Sequence, residues 1–153
     1  MASFPMTACS TMNEAFAQAL ASLPHGRSFR FVDEVIALDG GKSGVGTYRV
    51  RGDEAFLEGH FPGHPMMPGV VLLEAIAQLG GVVAQSDPDQ APLEDMRLTA
   101  VRAAKILGAA VPGDLLEIKA TVEGRLGNLI QIDGEVNVAG VLLAKAKITL
   151  SGQ

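Results

Sequence analysis

Residues 70–84 read VVLLEAIAQLGGVVA, the most hydrophobic stretch of the sequence. The stretch contains two polar side chains, Glu74 and Gln78, and is shorter than the roughly 20 apolar residues that a membrane-spanning helix needs. A helix that is apolar on nearly every side, and that does not cross a membrane, must be surrounded by other parts of the protein. The stretch therefore predicts a buried central helix from Val70 to about Gln85, opened by Pro68-Gly69.

The last third of the chain alternates apolar and polar residues, as a half-buried β-sheet does. Apolar or small residues occupy every second position in three segments, which run from Leu116 to Val122, from Ile130 to Val138 and from Leu142 to Leu150. Period-two patterning with one polar face predicts antiparallel pairing. We place the connecting turns at residues 124–128 and 139–140, each of which contains glycine.

Strand-forming residues also occupy three earlier segments, at about residues 29–38, 43–51 and 97–107. The 70–85 helix is the only element apolar enough to cover the apolar face of a sheet built from such strands. The sequence therefore predicts an α+β fold class, in which a long central helix is wrapped by a curved antiparallel β-sheet.

A short helix and a loop precede the central helix. Thr11, followed three residues later by Glu14, forms a capping box, which predicts a helix that ends near Ala21 and follows a loose tail of residues 1–10. Six of the eleven residues from Gly59 to Gly69 are Gly or Pro, so this segment is expected to be a loop.

Composition limits the classes of function. The 153 residues carry 12 Lys and Arg against 17 Asp and Glu, a formal net charge of −5 at pH 7, which argues against nucleic acid or an anionic membrane as the main partner. Cys9 is the only cysteine, and the first residues lack a basic segment followed by an apolar stretch, so a cytoplasmic protein without a signal peptide is expected. With no internal repeat and no long linker, residues 1–153 are expected to form a single domain.

Glu74 is a carboxylate within the hydrophobic stretch and is the first candidate for chemistry. Burying an ionised carboxylate without a partner is costly, so the group is expected to be protonated, paired or at a cleft that water reaches. A carboxylic acid kept in its neutral form can donate a proton. Gln78 lies one turn further on the same face, a spacing that allows a hydrogen bond to orient Glu74. The spacing gives equal weight to a second interpretation, in which the carboxylate lies at the helix edge and reaches solvent.

His60 and Gly69 place two further groups within fifteen residues of Glu74. His60 lies in the Gly- and Pro-rich loop just before the helix, a suitable place for a general base. The free N–H of Gly69, at the positive end of the helix dipole, can donate to an oxygen that gains negative charge. A base, an acid and such a donor suit abstraction of a proton next to a carbonyl group.

The other two histidines are expected to have no part in chemistry. The prolines between His60 and His64 remove helical spacing, and no Cys or second carboxylate follows at ligand distance, so no metal site is expected. We expect His64 at the surface of the loop and His25, after Leu23-Pro24, to be a hydrogen-bonded turn residue.

Two blocks of sequence carry a resemblance to a known family. Residues 59–70 read GHFPGHPMMPGV and residues 73–78 read LEAIAQ. Together they resemble the β-hydroxyacyl-acyl-carrier-protein dehydratases of bacterial fatty-acid synthesis, members of the hot-dog superfamily. The segments LPH at residues 23–25 and VPGD at residues 111–114 look like further family segments, so the resemblance covers roughly residues 20–150.

The resemblance implies a hot-dog fold and an active site shared between two subunits. The family's catalytic histidine falls on His60 and its catalytic acid on Glu74, where Glu rather than Asp looks like the plain dehydratase branch. His60 of one subunit would act with Glu74 of the other, in a homodimer or a trimer of dimers. His60 would remove the C2 proton of a 3-hydroxyacyl thioester, Gly69 N–H would stabilise the enolate, and Glu74 would protonate the departing hydroxyl. Neither a metal nor an organic cofactor is implied.

The resemblance also implies an apolar tunnel for the acyl chain. Its candidate substrate-binding residues are Phe61, Met66, Met67, Val70 and Gln78; the four apolar ones are explained equally well as core residues. The family often has a strained peptide next to its catalytic histidine, which predicts backbone strain beside His60.

The chain departs from the family in the segment that would dock the acyl carrier. Relatives tend to have a basic segment where residues 104–110 read AKILGAA. Docking an acidic acyl carrier protein needs positive charge, which four basic residues can still supply: Arg97, Arg102, Lys105 and Arg125. A specialised carrier of a polyketide-type pathway and a coenzyme A thioester (acyl-CoA) therefore stay open as alternatives to the carrier protein of fatty-acid synthesis.

Two other functions compete with the dehydratase. A hot-dog thioesterase would use a carboxylate or Asn to activate water, and it would not explain the block from His60 to Glu74. A non-catalytic acyl-binding or scaffold subunit would be expected to have lost one of these two residues, and both are present.

Overall fold

The computed structural model describes the backbone of residues 7–153 and the side chains of residues 12–153. The helices are α1 (Thr7–Ala21), α2 (Ala55–Glu58) and α3 (Gly69–Gln85), and Arg27–Phe29 forms a 3₁₀ turn. The strands are β1 (Glu34–Asp39), β2 (Ser43–Arg49), β3 (Arg97–Ile106), β4 (Leu115–Leu126), β5 (Leu129–Val138) and β6 (Val141–Ser151). None of the described helices is both long and apolar enough to cross a membrane.

The six strands form one sheet in the order β1-β2-β4-β5-β6-β3, and every neighbouring pair is antiparallel. Helix α3 packs against β2, β4, β5 and β6, while α1 packs against β1 and α3. Ten of the 17 residues of α3 are buried, as expected for a helix surrounded by protein. The predicted α+β class, with a central helix and an antiparallel sheet, is confirmed.

Glycines in the sheet let bulky side chains of α3 approach it closely. A Cβ atom on Gly134 would overlap with Cγ2 of Ile76, and a Cβ atom on Gly46 would lie 3.3 Å from Cδ1 of Leu79. Ile76 and Leu79 are both fully buried at these contacts. The glycines therefore set the distance between helix and sheet.

The predicted start of α1 is wrong. The helix begins at Thr7 rather than Thr11, because no Gly or Pro lies between residues 7 and 21 to stop it. Residues 7–10 are therefore helical rather than a loose tail. The rest of the predicted tail, residues 1–6, lies outside the described residues.

Two strand boundaries also differ from the prediction. Strand β1 begins at Glu34, later than expected, because the N–H of Phe31 bonds to the side chain of Gln78 and not to a neighbouring strand. Strand β4 continues to Leu126, through the predicted turn, because a β-bulge after Val122 keeps it paired with β5. The bounds of α3 and of the other strands lie within two residues of those predicted.

Strand β3 forms one edge of the sheet and, among the described residues, pairs on one side only. All ten of its residues are exposed, and three of them are large and apolar: Leu98, Val101 and Ile106. Its pairing with β6 is irregular, and Ala103 has a φ of +50°. A long exposed edge with apolar side chains is a surface on which another strand can pair.

A buried carboxylate fixes the turn that leads into the His60 loop. Glu54 lies just before α2, and its side chain is 5% exposed. Its carboxylate accepts hydrogen bonds from the Tyr48 hydroxyl at 2.9 Å and from the N–H groups of Arg51 and Gly52, both at 2.8 Å. Burial by itself would raise the pKa of Glu54, but the hydrogen bonds to the charged form outweigh burial and hold the pKa below its usual value.

Glu54→Gln is expected to lower the free energy of unfolding at neutral pH by about 1–3 kcal/mol, because the amide keeps only one acceptor oxygen and its remaining hydrogen bonds are no longer made to a charged group. Since the folded-state pKa is lowered, this stabilisation is present above the unfolded-state value of about 4.3 and is lost as the pH falls through the folded-state pKa. Urea denaturation at neutral and acidic pH should therefore show that wild type loses more stability on acidification than the variant does.

The matched control is Asp53→Asn, because the neighbouring Asp53 carboxylate is 81% exposed. Equal losses of stability in the two variants at neutral pH would contradict the structural role of Glu54.

Candidate active site

The loop of residues 59–68 is anchored at both ends. At its start, the N–H of His60 donates to the carbonyl oxygen of Leu57 at 3.3 Å. Near its end, the N–H of Met67 donates to the carbonyl oxygen of Ala110 at 2.8 Å, and the Met67 side chain is buried in the hydrophobic core. These anchors hold the loop against the body of the protein just before α3 begins.

A β-turn shapes the middle of this loop. The N–H of His64 donates to the carbonyl oxygen of Phe61 at 2.9 Å, and Gly63 between them has a φ of +86°. Pro62 and Gly63 occupy the second and third positions, where a type II turn favours Pro and requires a residue such as Gly. The turn leaves the His64 side chain exposed, as predicted.

His60 presents a free ring nitrogen. Its Nδ1 lies 2.8 Å from the carbonyl oxygen of Met66, and the ring packs edge-on against Phe61 with centroids 4.6 Å apart. Since a carbonyl oxygen can only accept, Nδ1 carries the proton in the neutral imidazole. Nε2 is then the unprotonated nitrogen, which is the form that a general base needs.

The backbone is strained directly beside this histidine. Phe61 has a φ of +60°, which bulky residues rarely adopt, and its ring is 57% exposed. The predicted strain beside His60 is therefore found at Phe61. Strain of this kind persists only where the surroundings enforce it, here the turn and the anchored ends of the loop.

Gly69 opens α3 and leaves a donor without a partner. It follows Pro68, which precedes the helix, and within the described residues its N–H donates no backbone hydrogen bond. A Cβ atom at Gly69 would lie 3.0 Å from the side chain of Ile106 on β3, so only glycine fits here without displacing that side chain. The position combines a free N–H with the positive end of the helix dipole.

Glu74 faces a cavity on another side of α3. The cavity has a volume of about 330 Å³ and is lined by α3, by the segment after α1 and by residues near β3. The Glu74 side chain is 21% exposed, so it is neither enclosed in the core nor extended into bulk water. Its Oε1 lies 3.2 Å from Nε2 of Gln78 and 3.4 Å from Nε2 of His25.

Gln78 connects this carboxylate to the segment before β1. Its side chain is 2% exposed; Oε1 accepts from the N–H of Phe31 at 2.8 Å, and Nε2 donates to the carbonyl oxygen of Phe29 at 2.9 Å as well as to Glu74. The predicted orienting hydrogen bond between Gln78 and Glu74 is present. The same amide therefore fixes both the carboxylate and the backbone that forms one wall of the cavity.

Gln78→Leu is expected to lower the free energy of unfolding by about 1–3 kcal/mol, because the buried N–H of Phe31 loses its only acceptor among the described residues. Urea denaturation measures this loss. Gln131→Leu, at an exposed position of β5, is the control and should leave stability nearly unchanged. Equal stabilities of the two variants would contradict the anchoring role of Gln78.

The structure brings some of the predicted site residues together and not others. His60, Phe61, Met66 and Gly69 lie in the loop and at the start of α3, whereas Glu74 and Gln78 lie on the cavity with His25. Among the described residues that line this cavity, His60 is absent. Val70 is 73% exposed and Met67 is buried in the core.

From the sequence, His25 was expected to be a hydrogen-bonded turn residue with no part in chemistry. Its side chain contacts Glu74 and lines the cavity, although the sequence separates the two residues by 49 positions. The segment LPH at residues 23–25 was the only signal, and it marked a family segment without indicating what the histidine touches.

Metal ligation has no support among the side chains described. Residues 12–153 contain no group of three or more His, Cys, Asp or Glu side chains arranged to hold a metal ion.

Comparison with known proteins places the chain in a family. A model of the FabA-like domain matches residues 23–147. The 3-hydroxyacyl-[acyl-carrier-protein] dehydratase FabZ of Syntrophotalea carbinolica is 37% identical over 130 residues, covering 82% of this chain and 86% of the relative. The FabZ of Xylella fastidiosa is 38% identical over 135 residues, covering 86% and 84%.

Solved structures agree on the fold. The dehydratase heterocomplex ApeI:P from Xenorhabdus doucetiae superposes with a TM-score of 0.73 at 19% identity, covering 90% of this chain and 91% of that one. A hypothetical thioesterase with coenzyme A from Streptococcus pneumoniae gives 0.61 at 18% identity, covering 78% and 84%. Because this similarity spans dehydratases and a thioesterase, it establishes the fold alone. The matched domain and the curated relatives establish more: the chain belongs to the FabA-like family of β-hydroxyacyl-acyl-carrier-protein dehydratases, within the hot-dog superfamily.

Proposed function

We propose that the chain removes water from a 3-hydroxyacyl thioester, carried by an acyl carrier protein, to give a trans-2-enoyl thioester. The proposal rests on three groups: a histidine whose Nε2 has no partner among the described residues, a helix N-terminus whose N–H has none there either, and a half-buried carboxyl group on the same helix. The curated relatives at 37–38% identity are named as dehydratases of this kind.

The chemistry assigns one step to each group. Nε2 of His60 takes the proton from C2, and the electrons of that C–H bond pass toward the thioester carbonyl. The N–H of Gly69 stabilises the negative charge on the carbonyl oxygen. As the C2–C3 double bond forms, Glu74 gives its proton to the C3 hydroxyl, which leaves as water. His60 then holds the proton that Glu74 needs to recover, so acid and base are restored by one net proton transfer.

Among the described residues, the cavity that Glu74 faces is lined by neither His60 nor Gly69. Glu74 follows Gly69 by five residues, which in an α-helix is about 140° around the axis and about 7.5 Å along it. We therefore infer that His60 and Gly69 of one subunit act with Glu74 of the partner subunit.

The exposed edge strand supports a homodimer. Strand β3 is exposed along its whole length and carries Leu98, Val101 and Ile106 at the surface. Ile106 also touches the position of Gly69. Pairing of β3 with its copy would cover the apolar residues and bring a second chain next to the N-terminus of α3. A trimer of such dimers is compatible with the same edge pairing.

Two surfaces of the chain carry apolar residues that can contact the acyl thioester. Apolar residues of the cavity beside Glu74 include Leu23, Ala77 and Leu150, and they offer space for an alkyl chain next to the acid. Phe61, Met66 and Val70 are exposed or partly exposed near His60, with Met67 buried behind them, and would contact the thioester end.

Basic residues on β3 support an acyl carrier protein as the carrier of the substrate. Arg97, Arg102 and Lys105 lie on β3 and are exposed in the single chain, and those that stay at the surface of the dimer would attract an acidic carrier protein. If they dock a carrier, KM for carrier-linked substrate should rise with salt, because exposed charges are screened. KM for the matching coenzyme A thioester should rise less. The expected cytoplasmic location stays a prediction.

A single assay tests the reaction. The purified protein is mixed with a 3-hydroxybutyryl thioester of carrier protein or coenzyme A, and the absorbance of the enoyl product is followed. We expect the enoyl signal to form without release of free thiol. Release of thiol would instead indicate a thioesterase, and no change in either signal across chain lengths would indicate a non-catalytic subunit.

A further inference from the structure

His25 reaches Glu74 from a separate part of the chain. It lies in the segment between α1 and the 3₁₀ turn, and its Nε2 is 3.4 Å from Oε1 of Glu74. Gln78 donates to the same oxygen from 3.2 Å. Two nitrogen groups therefore converge on the same carboxyl oxygen, Oε1.

The surroundings of the imidazole determine where its proton lies. Nδ1 of His25 is buried and has no hydrogen-bond partner among the described residues. A proton on Nδ1 would be a buried donor without an acceptor, which is unfavourable. In the neutral ring the proton is therefore assigned to Nε2, the nitrogen that lies 3.4 Å from Oε1 of Glu74. At this distance Nε2 of His25 can only be a donor toward Oε1 of Glu74, and the contact is longer than the hydrogen bond from Gln78.

The imidazole is held in place by its own segment. The guanidinium of Arg30 donates to the carbonyl oxygens of Leu23 at 3.3 Å and of His25 at 3.4 Å. The ring stacks on Phe29, with centroids 6.0 Å apart and planes inclined at 29°. The carbonyl oxygen of Phe29 accepts from Gln78, so the side chain that orients Glu74 also holds the segment that carries His25.

We propose that His25 is a positioning residue for the acid of the dehydration, an inference that rests on the proposed function. With Gln78 it engages Oε1 of Glu74, so the proton that goes to the departing hydroxyl is carried by Oε2. When Glu74 gives up this proton, its carboxylate becomes charged and the donors on Oε1 bind it more strongly, since hydrogen bonds to ionised groups are about twice as strong as neutral ones. His25 thus stabilises the transition state more than bound substrate.

This role predicts a separation of kcat from KM. Interactions that strengthen only in the transition state lower kcat when they are removed and leave substrate binding nearly unchanged. His25→Leu is therefore expected to lower kcat about 10- to 100-fold, the size expected for one hydrogen bond to a charged group. KM should change by no more than about twofold. His25→Met serves if the Leu variant fails to fold.

A conservative variant separates positioning from packing. His25→Gln keeps an Nε2 donor at a similar distance from the backbone and should recover most of the lost kcat, whereas the apolar variants should not. His64→Leu replaces an exposed histidine and should leave kcat at the wild-type value. Thermal denaturation of each variant shows whether it is folded. A Gln variant no better than the Leu variant would overturn the proposal, as would wild-type kcat in folded His25→Leu.

A double-mutant cycle tests whether His25 acts through Glu74. In the Glu74→Gln background, His25→Leu should cause little further loss of kcat. An undiminished loss in that background would mean that His25 acts independently of Glu74. Failure of the proposed function can be told apart from failure of the His25 proposal. It would appear as full dehydratase activity in Glu74→Gln itself or as no turnover by wild type.

Discussion

Replacing His60 with alanine is expected to lower kcat for dehydration by at least about 100-fold, and replacing Glu74 with glutamine is expected to do the same, because a general acid or base contributes about 10²–10⁴ in rate. His60→Ala removes the nitrogen that accepts the C2 proton. Glu74→Gln keeps the size of the side chain and its contact with Gln78 but cannot donate a carboxylic proton. The enoyl absorbance assay measures both effects on the same substrate.

Controls of matched chemistry accompany these variants. His64→Ala removes an exposed histidine of the same loop, and Glu58→Gln removes an exposed carboxylate of α2. Both should keep wild-type kcat, because neither side chain reaches the proposed site. Full activity in His60→Ala and in Glu74→Gln would mean that the acid and the base have been assigned to the wrong residues.

Gly69→Pro is expected to lower kcat by about 10²–10³, the loss seen when one donor to a developing oxyanion is removed. Proline has no N–H, yet it is well tolerated at the first position of a helix, so the start of α3 should form. The thioester would still bind, since the carbonyl is neutral in the ground state. We therefore expect a loss in kcat larger than any change in KM.

The control for this variant is Gly69→Ala. Alanine keeps the N–H but adds a Cβ atom that meets Ile106 at 3.0 Å, so it reports the steric cost alone. If the donor matters, the proline variant should be much less active than the alanine variant. Equal losses would show that crowding against β3, and not the missing N–H, causes the defect.

The fold could be read from the sequence where local pattern and burial agree. The 70–84 stretch is apolar on nearly all faces and α3 is in fact surrounded by the sheet. The alternation in β4, in β5 and, from Ala144 on, in β6 matches their buried and exposed positions, because one face of each strand packs on α3. Pro62-Gly63 predicted a break in regular structure, and the type II turn there explains it.

Some element boundaries were predicted wrongly because they depend on contacts between residues that are far apart in the sequence. Phe31 has the composition of a strand residue, but its N–H bonds to Gln78, which lies 47 positions away. No local pattern could indicate that a side chain of α3 would take the place of a neighbouring strand. The start of α1 failed for a different reason: the capping box at Thr11 is a preference of about 1 kcal/mol, and the preceding residues extend the helix.

The sequence could predict one contact of the candidate site, and the other contacts required the fold. The spacing of Glu74 and Gln78 on one helix face predicted their hydrogen bond, because residues four apart are neighbours. The contact between His25 and Glu74 required the fold, since it joins the segment after α1 to the middle of α3. That the site is shared between two chains stays a prediction, which the resemblance to the family implied and which no local pattern of the sequence indicates.

Mixing two inactive variants tests most directly whether one site is built from two chains. His60→Ala and Glu74→Gln are co-expressed with different tags, and the dimer that carries both tags is purified. If His60 of one subunit acts with Glu74 of the other, this mixed dimer contains one intact site and should show about half of the wild-type activity. If both groups act within one chain, every site lacks one of them and the mixed dimer should be as inactive as either parent.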